Sequence, residues 1–256
     1  MTNKKIAIIG LGNMGRAIKD GVLKKKLITK GQLLISNKQL TNKIVAKQSD
    51  ILIIAVKPQA MKIVLEEIRD VSPKKILIIS IAAGVEIKIM ERILGKEQHI
   101  IRVMPNLCAK VNQSISCWFK NKNVGDKDVE VFKKIFQSVG QEIELASEKM
   151  LDQVTAISGS GPAYIFYLTE LLTKSAIKIG LDKKLANKLV LQTLIGSSIY
   201  LRKSKELPKV LRRKVTSKGG TTEAAFNKII NSEFESIFLS AIESAYKRAI
   251  ELHLKV

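Results

Sequence analysis

Two patterns of apolar positions divide the chain. Up to about Ser147, short unbroken runs of Ile, Leu and Val alternate with stretches whose apolar residues recur every three or four positions. Runs such as ILIIAV and ILIISIA have the look of parallel strands covered on both faces. The pattern predicts strands over Ile6–Gly10, Gln32–Ser36, Asp50–Val56, Lys75–Ile81, Ile100–Met104 and Ser114–Phe119, with a shorter one near Glu142–Leu145. Helices are expected between them over Met14–Lys26, Pro58–Asp70 and Asp126–Ser138, Pro58 being suited to a first helical turn. Alternating β and α segments argue a doubly wound α/β sheet. Beyond Ser147 only helical spacing continues, punctuated at Gly159-Ser-Gly-Pro162, Gly180, Pro208 and Gly219-Gly220. The expected division is therefore an α/β domain over residues 1–150 and an all-α domain over 151–256. The helix at Ala163–Ile179 is apolar on nearly every side and calls for burial, supplied in so small a domain by a second subunit.

Composition narrows this picture little. Hydrophobic residues make up 46% of the 256 positions and charged ones 26%, as in globular chains. The net charge of +21 comes from 44 Lys+Arg against 23 Asp+Glu. These cations are spread along the whole length, aromatics are 5%, and no DNA-binding motif accompanies them, so a solvated Lys-rich surface is favoured over a nucleic-acid partner. Two cysteines far from any CxxC pattern argue reduced thiols and a cytoplasmic location. The two histidines, His99 and His253, are too far apart in sequence to suggest a metal site. A strand-like run already begins at residue 6, so no signal peptide is expected, and no uncharged run reaches the length of a membrane span.

Chemistry enters at two glycine-rich turns. In IAIIGLGNMGRAI, Gly10, Gly12 and Gly15 follow a buried strand and open a helix, the setting in which this spacing signals a dinucleotide. Gly10 serves the tight turn, Gly12 the approach of a pyrophosphate and Gly15 the packing of helix on strand, with the amides of Asn13 and Met14 facing the phosphates. The second strand runs into Ser36-Asn37-Lys38, a hydroxyl, an amide and a cation with no carboxylate. That set suits a ribose 2′-phosphate, so NADPH is expected, with NADH as the second candidate. The other turn, SKGGTTEAAF at Ser217–Phe226, places two glycines and two threonines where a helix begins. Residues so poor inside a helix suit its mouth, where free amides and hydroxyls hold an anion.

Taken together, IGLGNMGRAI, ILIIAVKPQ, SIAAGV, RVMPN, SGSGPAY and SKGGTTEAA resemble, in order and over nearly the whole chain, the pyrroline-5-carboxylate reductases. The resemblance implies a Rossmann-like dinucleotide domain followed by a helical domain that interlocks with a partner subunit in a homodimer or larger homo-oligomer. It implies hydride transfer from NAD(P)H to the C=N bond of 1-pyrroline-5-carboxylate, giving L-proline. On this reading Ser217, Gly219, Gly220 and Thr221 hold the substrate carboxylate, Ser217 through its hydroxyl and Gly220 and Thr221 through their amides. Thr222 directs its hydroxyl to the ring nitrogen. The cofactor is lined by Gly10, Gly12, Asn13, Met14, Gly15, Ser36, Asn37, Asn42, Ala55-Val56-Lys57-Pro58, Ala82-Ala83-Gly84 and Asn106, the last through the nicotinamide carboxamide. Lys57 contributes mainly backbone, since a residue before proline is held extended. No metal is implied.

Two departures from the family pattern stand out. Lys218 occupies the place of the usual proline, which loosens the unfolded turn by about 0.4–1 kcal/mol and adds a positive charge. Between Asn37 and Asp50 only thirteen steps remain where the family carries an additional helix and short strand, so the domain is shortened after its second strand. Two rival readings differ in testable ways. A β-hydroxyacid dehydrogenase requires a lysine early in the interdomain helix, and the helix opening at Ser158 has none before Lys174. A catalytically impaired Rossmann-fold protein acting on nucleic acid, or as a regulator, predicts binding with steep salt dependence.

Overall fold

The computed structural model describes residues 4–255. Its first strands are β1 (Ile6–Ile9), β2 (Leu33–Ile35), β3 (Ile51–Ile54), β4 (Leu77–Ser80) and β5 (His99–Met104), followed by β6 (Ser114–Lys120) and β7 (Gly140–Glu144). They form one sheet in the order β2-β1-β3-β4-β5-β6-β7. The first five run parallel; β6 is antiparallel to β5, and β7 is parallel to β6. The reversal at β6 follows from its short connection, because a parallel neighbour needs a crossover of a dozen or more residues.

Helices cover both faces, which gives the doubly wound architecture. On one side α1 (Asn13–Lys24) and α5 (Asp126–Gln137) pack on Ile6, Ile8, Ile51 and Ile53, with Trp118, Phe132 and Phe136 extending the same core. On the other, α2 (Asn42–Lys47), α3 (Met61–Ile68) and α4 (Ile87–Leu94) pack on Ala7, Ile9, Leu52 and Ile54. Every residue of β1, β3 and β4 is buried, so the unbroken apolar runs are a consequence of two covered faces. Each such Ile or Leu contributes about 1.5–3 kcal/mol of burial.

Two helices fall outside the sequence expectation. The six-residue α2 fills the shortened stretch after β2, too short to show a helical period. The eight-residue α4 buries only Ile87 and Met90, and its sequence IKIMERIL mixes in β-branched residues.

The later helices are α6 (Met150–Val154), α7 (Gly161–Lys178), α8 (Lys183–Ser204), α9 (Pro208–Lys214), α10 (Thr221–Ile230) and α11 (Phe234–Glu251), with a π turn at Thr155–Gly159. The chain forms two compact units, one of residues 1–162 with 243–256 and one of 163–242. Against an expected division at residue 150, the first unit thus keeps α6 and the π turn and regains the end of the chain. Within the single chain α7 has no buried residue: Phe166 and Tyr167 are more than half exposed. No helix among the described residues is long and apolar enough to cross a membrane.

Candidate active site

The parallel strands deliver their C-terminal ends to one edge of the first unit. Strand β1 has β2 on one side and β3 on the other, so the chain changes direction there, and the crevice at such a point is where open α/β sheets bind ligands. Gly10 leaves β1 with φ +96°, and a Cβ on it would stand 2.6 Å from the Ala55 carbonyl oxygen. A Cβ on Gly15 would overlap the Gly10 carbonyl oxygen. Gly12 differs from both: its backbone is extended, and a Cβ on it would meet nothing within 4 Å. It is the N-cap of α1 and has no side chain to cap it, which leaves the first-turn amides of Asn13 and Met14 facing open space. The guanidinium of Arg16 donates to the Leu11 carbonyl (2.8 Å), setting a cation beside that turn. A pyrophosphate fits these donors and this space.

Beside it, β2 ends in a hydrogen-bonded chain. The Ser36 hydroxyl donates to Asn42 Oδ1 (2.5 Å), and Asn42 Nδ2 donates to Glu67 Oε2 (2.6 Å). Asn37 Oδ1 accepts from the amides of Gln39 and Leu40, both at 2.8 Å, which leaves its NH2 group pointing outward as a donor. Lys38 is exposed, and no ion pair engages it among the described residues. Ser36, Asn37 and Asn42 are thus brought together. Glu67 was not among the expected residues, and it puts a carboxylate where the end of β2 has none. It follows the buried Val64 by three positions in α3, so it shares the stripe that faces inward.

The remaining strand ends play unequal parts. Lys57 is exposed and extended (φ −65°, ψ 150°), as a residue before proline should be, while Ala55 and Val56 back Gly10. Gly84 is approached so closely by Leu252 that a Cβ would lie 2.6 Å from the Leu252 Cβ, and the end of the chain therefore supports the Ala82-Ala83-Gly84 loop. Next to it a charged cluster forms within the first unit. Buried Arg102 reaches Glu148 (3.0 Å) and Asp152 (3.4 Å), and His253 Nε2 lies 2.9 Å from Asp152. The Asn106 side chain is engaged, Oδ1 accepting from the Cys108 amide (3.2 Å) and Nδ2 donating to the Ser158 carbonyl (3.1 Å), which leaves its second N–H for a further partner. Its evident work is to tie the loop after β5 to the π turn. Gly159 in that turn makes room for the Met104 side chain, which favours packing as the reason for that glycine.

In the second unit the SKGGTT turn is the mouth of α10. Gly219 adopts φ +71°, and Gly220 is the N-cap, with no side-chain cap hydrogen bond. The Gly220 amide, expected to be an anion donor, donates instead to the Ser217 carbonyl (3.0 Å), and a side chain on Gly220 would overlap the Ser217 hydroxyl. The Gly219 amide donates to Glu223 Oε2 (2.8 Å). The donors left for a ligand are the Thr221 and Thr222 amides at the first turn, together with the exposed Ser217 hydroxyl. Sequence reasoning missed Glu223, whose placement four residues after Gly219 is the signal that finds it.

Known proteins resemble the chain over its whole length. Residues 148–252 match the family model described as pyrroline-5-carboxylate reductase dimerisation, and residues 5–84 the one described as NADP oxidoreductase coenzyme F420-dependent. A pyrroline-5-carboxylate reductase of Methanosarcina acetivorans is 34% identical over the full length of both chains. Pyrroline-5-carboxylate reductase 2 of Bacillus subtilis is 33% identical over 97% of this chain and 95% of its own. Among solved structures, Plasmodium falciparum pyrroline carboxylate reductase with NADP bound superposes with a TM-score of 0.90 at 33% identity, covering 99% of each chain.

Proposed function

The chain belongs to the pyrroline-5-carboxylate reductase family, and from that premise we propose how its own residues divide the reaction. The protein is an NAD(P)H-dependent oxidoreductase that reduces the C=N bond of 1-pyrroline-5-carboxylate to L-proline. The first unit holds the cofactor: the amides of Asn13 and Met14 take the pyrophosphate, Gly12 leaves it room, and Ser36, Asn37, Lys38 and Asn42 meet the adenosine ribose. Ala55–Pro58 and Ala82–Gly84 line it through backbone and small side chains. When bound, the nicotinamide supplies the hydride. NADPH is the cofactor of this reading and NADH its alternative, because the Asn37 amide and Lys38 are donors suited to a 2′-phosphate.

The second unit holds the substrate carboxylate on the Ser217 hydroxyl and the Thr221 amide, with Gly219 and Gly220 shaping the turn. Thr222 directs its hydroxyl to the ring nitrogen. A cyclic imine protonated at nitrogen already accepts hydride, so fixed dipoles and positioning supply most of what the protein must add. The observation that carries this assignment is the uncapped start of α10 with Thr222 in its first turn.

The oligomer is part of the same reading. The dimerisation model spans the helical region, and within it Tyr164, Tyr167, Leu171, Phe234 and Phe238 line an apolar groove. Residues of this kind left open in one chain support a homodimer or larger assembly. A cytoplasmic location fits two cysteines that form no disulfide.

The test is direct. Purified protein given pyrroline-5-carboxylate should consume NADPH, and in a parallel run NADH, with one proline formed per cofactor oxidised. Folded protein that oxidises neither would overturn the reading.

A further inference from the structure

We infer that Glu67 is a specificity-determining residue that restrains the preference for a 2′-phosphorylated cofactor and keeps NADH competent, an inference that rests on the end of β2 holding the adenosine ribose. The argument is one of donors and acceptors. Asn42 has one amide oxygen and one NH2 group. Its NH2 group is held by the Glu67 carboxylate at 2.6 Å, so its oxygen must face Ser36, whose hydroxyl donates to it. The Ser36 proton is thereby committed, and towards a ligand Ser36 shows lone pairs only. Glu67 has a second carboxylate oxygen, and it too can only accept.

This arrangement suits a ribose 2′-hydroxyl, which brings a proton to donate. A 2′-phosphate brings nearly two negative charges and acceptor oxygens. For Ser36 to meet it as a donor its proton must turn outward, which sets the Ser36 and Asn42 oxygens acceptor against acceptor unless the Asn42 amide inverts. Inversion sets the Asn42 oxygen against the Glu67 carboxylate, acceptor against acceptor, and the phosphate also lies near that charge. Asn37 and Lys38, on the other side, favour the phosphate. Two halves of one pocket therefore oppose each other, and Glu67 governs the half that reads a hydroxyl.

Replacing the carboxylate with an amide removes both obstacles. Glutamine keeps the shape of Glu67, carries no charge, and can either accept from or donate to Asn42, so the chain of hydrogen bonds can reverse. Binding of NADPH and NADH to Glu67→Gln, measured by nicotinamide fluorescence without substrate, is the first readout. The second is displacement of bound NADPH by adenosine 2′-monophosphate. NADPH should bind about tenfold tighter than to the parent, a shift of about 1.4 kcal/mol, with NADH changed less than about threefold. The ratio of kcat/KM for the two cofactors should move the same way. Glu67→Ala serves as the second variant should Glu67→Gln melt well below the parent, and it too should favour NADPH.

Lys38→Glu separates the inference from its premise. It should weaken NADPH and spare NADH if the ribose binds here. A Lys38→Glu variant that shifts the ratio beside a Glu67→Gln variant that does not overturns the role of Glu67 alone. If neither substitution shifts it, the assignment of the ribose to this pocket falls as well.

Discussion

Single substitutions at the three glycines of the turn after β1 should separate folding from cofactor binding. At Gly10 an alanine must hold φ +96°, at a cost of about 1–2 kcal/mol. Its Cβ would also stand 2.6 Å from the Ala55 carbonyl oxygen and 2.8 Å from its carbon. That neighbour is backbone at the end of β3, so overpacking adds about 1–3 kcal/mol. Gly10→Ala should therefore melt roughly 5–15 °C lower. Gly15→Ala has no conformational strain, yet its Cβ overlaps the Gly10 carbonyl oxygen, and a gain of about 1 kcal/mol in helix propensity does not offset this. It too should melt lower.

Gly12→Val should behave in the opposite way. The extended backbone accepts any residue and the added carbons enter open space, so the loss is confined to a poorer N-cap at about 1 kcal/mol. The same carbons occupy the approach to the Asn13 and Met14 amides. Losing two hydrogen bonds to a charged group, at about 1.5–3 kcal/mol each, raises Kd by roughly two to four orders of magnitude. Thermal melts followed by circular dichroism, paired with fluorescence titration of NADPH, read both quantities. A Gly12→Val protein that binds NADPH within threefold of the parent refutes the phosphate assignment. A Gly10→Ala protein that melts with the parent refutes the steric reasoning.

Three further outcomes follow from other sites. Thr222→Ala should lower kcat by about two to three orders of magnitude, in the range for losing one preorganised polar group at the reacting centre, while NADPH binding is unchanged and Thr222→Ser recovers most of the rate. Equal kcat for Thr222→Ala would remove the hydroxyl from the mechanism. Arg102→Met leaves Glu148 and Asp152 without their buried cation and should cost about 3–5 kcal/mol in urea unfolding; a loss under about 1 kcal/mol would show that His253 alone suffices. Burial alone would raise the pKa of Glu86, but the Lys88 hydrogen bond and the charges of Lys88, His253 and Arg102 hold it below the ordinary carboxylate value. Its folded pKa lies under its unfolded one, so its contribution is present above about pH 4.3 and is lost as pH falls through the folded value. Stability measured against pH should accordingly fall less steeply on the acid side in Glu86→Gln, and an identical acid limb would count against the linkage.

How much of this was legible beforehand depends on how far each feature reaches through space. Buried strands announce themselves because both faces are covered, as in the apolar runs of β1, β3 and β4, whereas β7 (GQEIE) is largely exposed and carries only a weak signal. The glycine turn was equally readable, since Gly10 and Gly15 answer steric demands set within a few residues of chain. The direction of β6 is not written in its composition, which is the same whichever way a strand runs, and only the short connection from β5 bears on it. Short α2 escaped because six residues make fewer than two turns.

At the two glycine-rich turns the residue types pointed to a helix mouth but not to its hydrogen bonds, because a hydrogen bond is a property of pairs. Gly220 reads as a free amide in sequence although the Ser217 carbonyl occupies it, and nothing in the sequence ties the Asn106 side chain to Cys108 and Ser158. Glu67 shows the same limit from the other direction. It stands twenty-five residues from Asn42, yet decides which way the Asn42 amide faces and hence which atom Ser36 offers. The short α2 puts Asn42 within reach of α3 directly. On the proposed reading, a carboxylate of α3 thereby takes part in reading the ribose through Asn42 and Ser36.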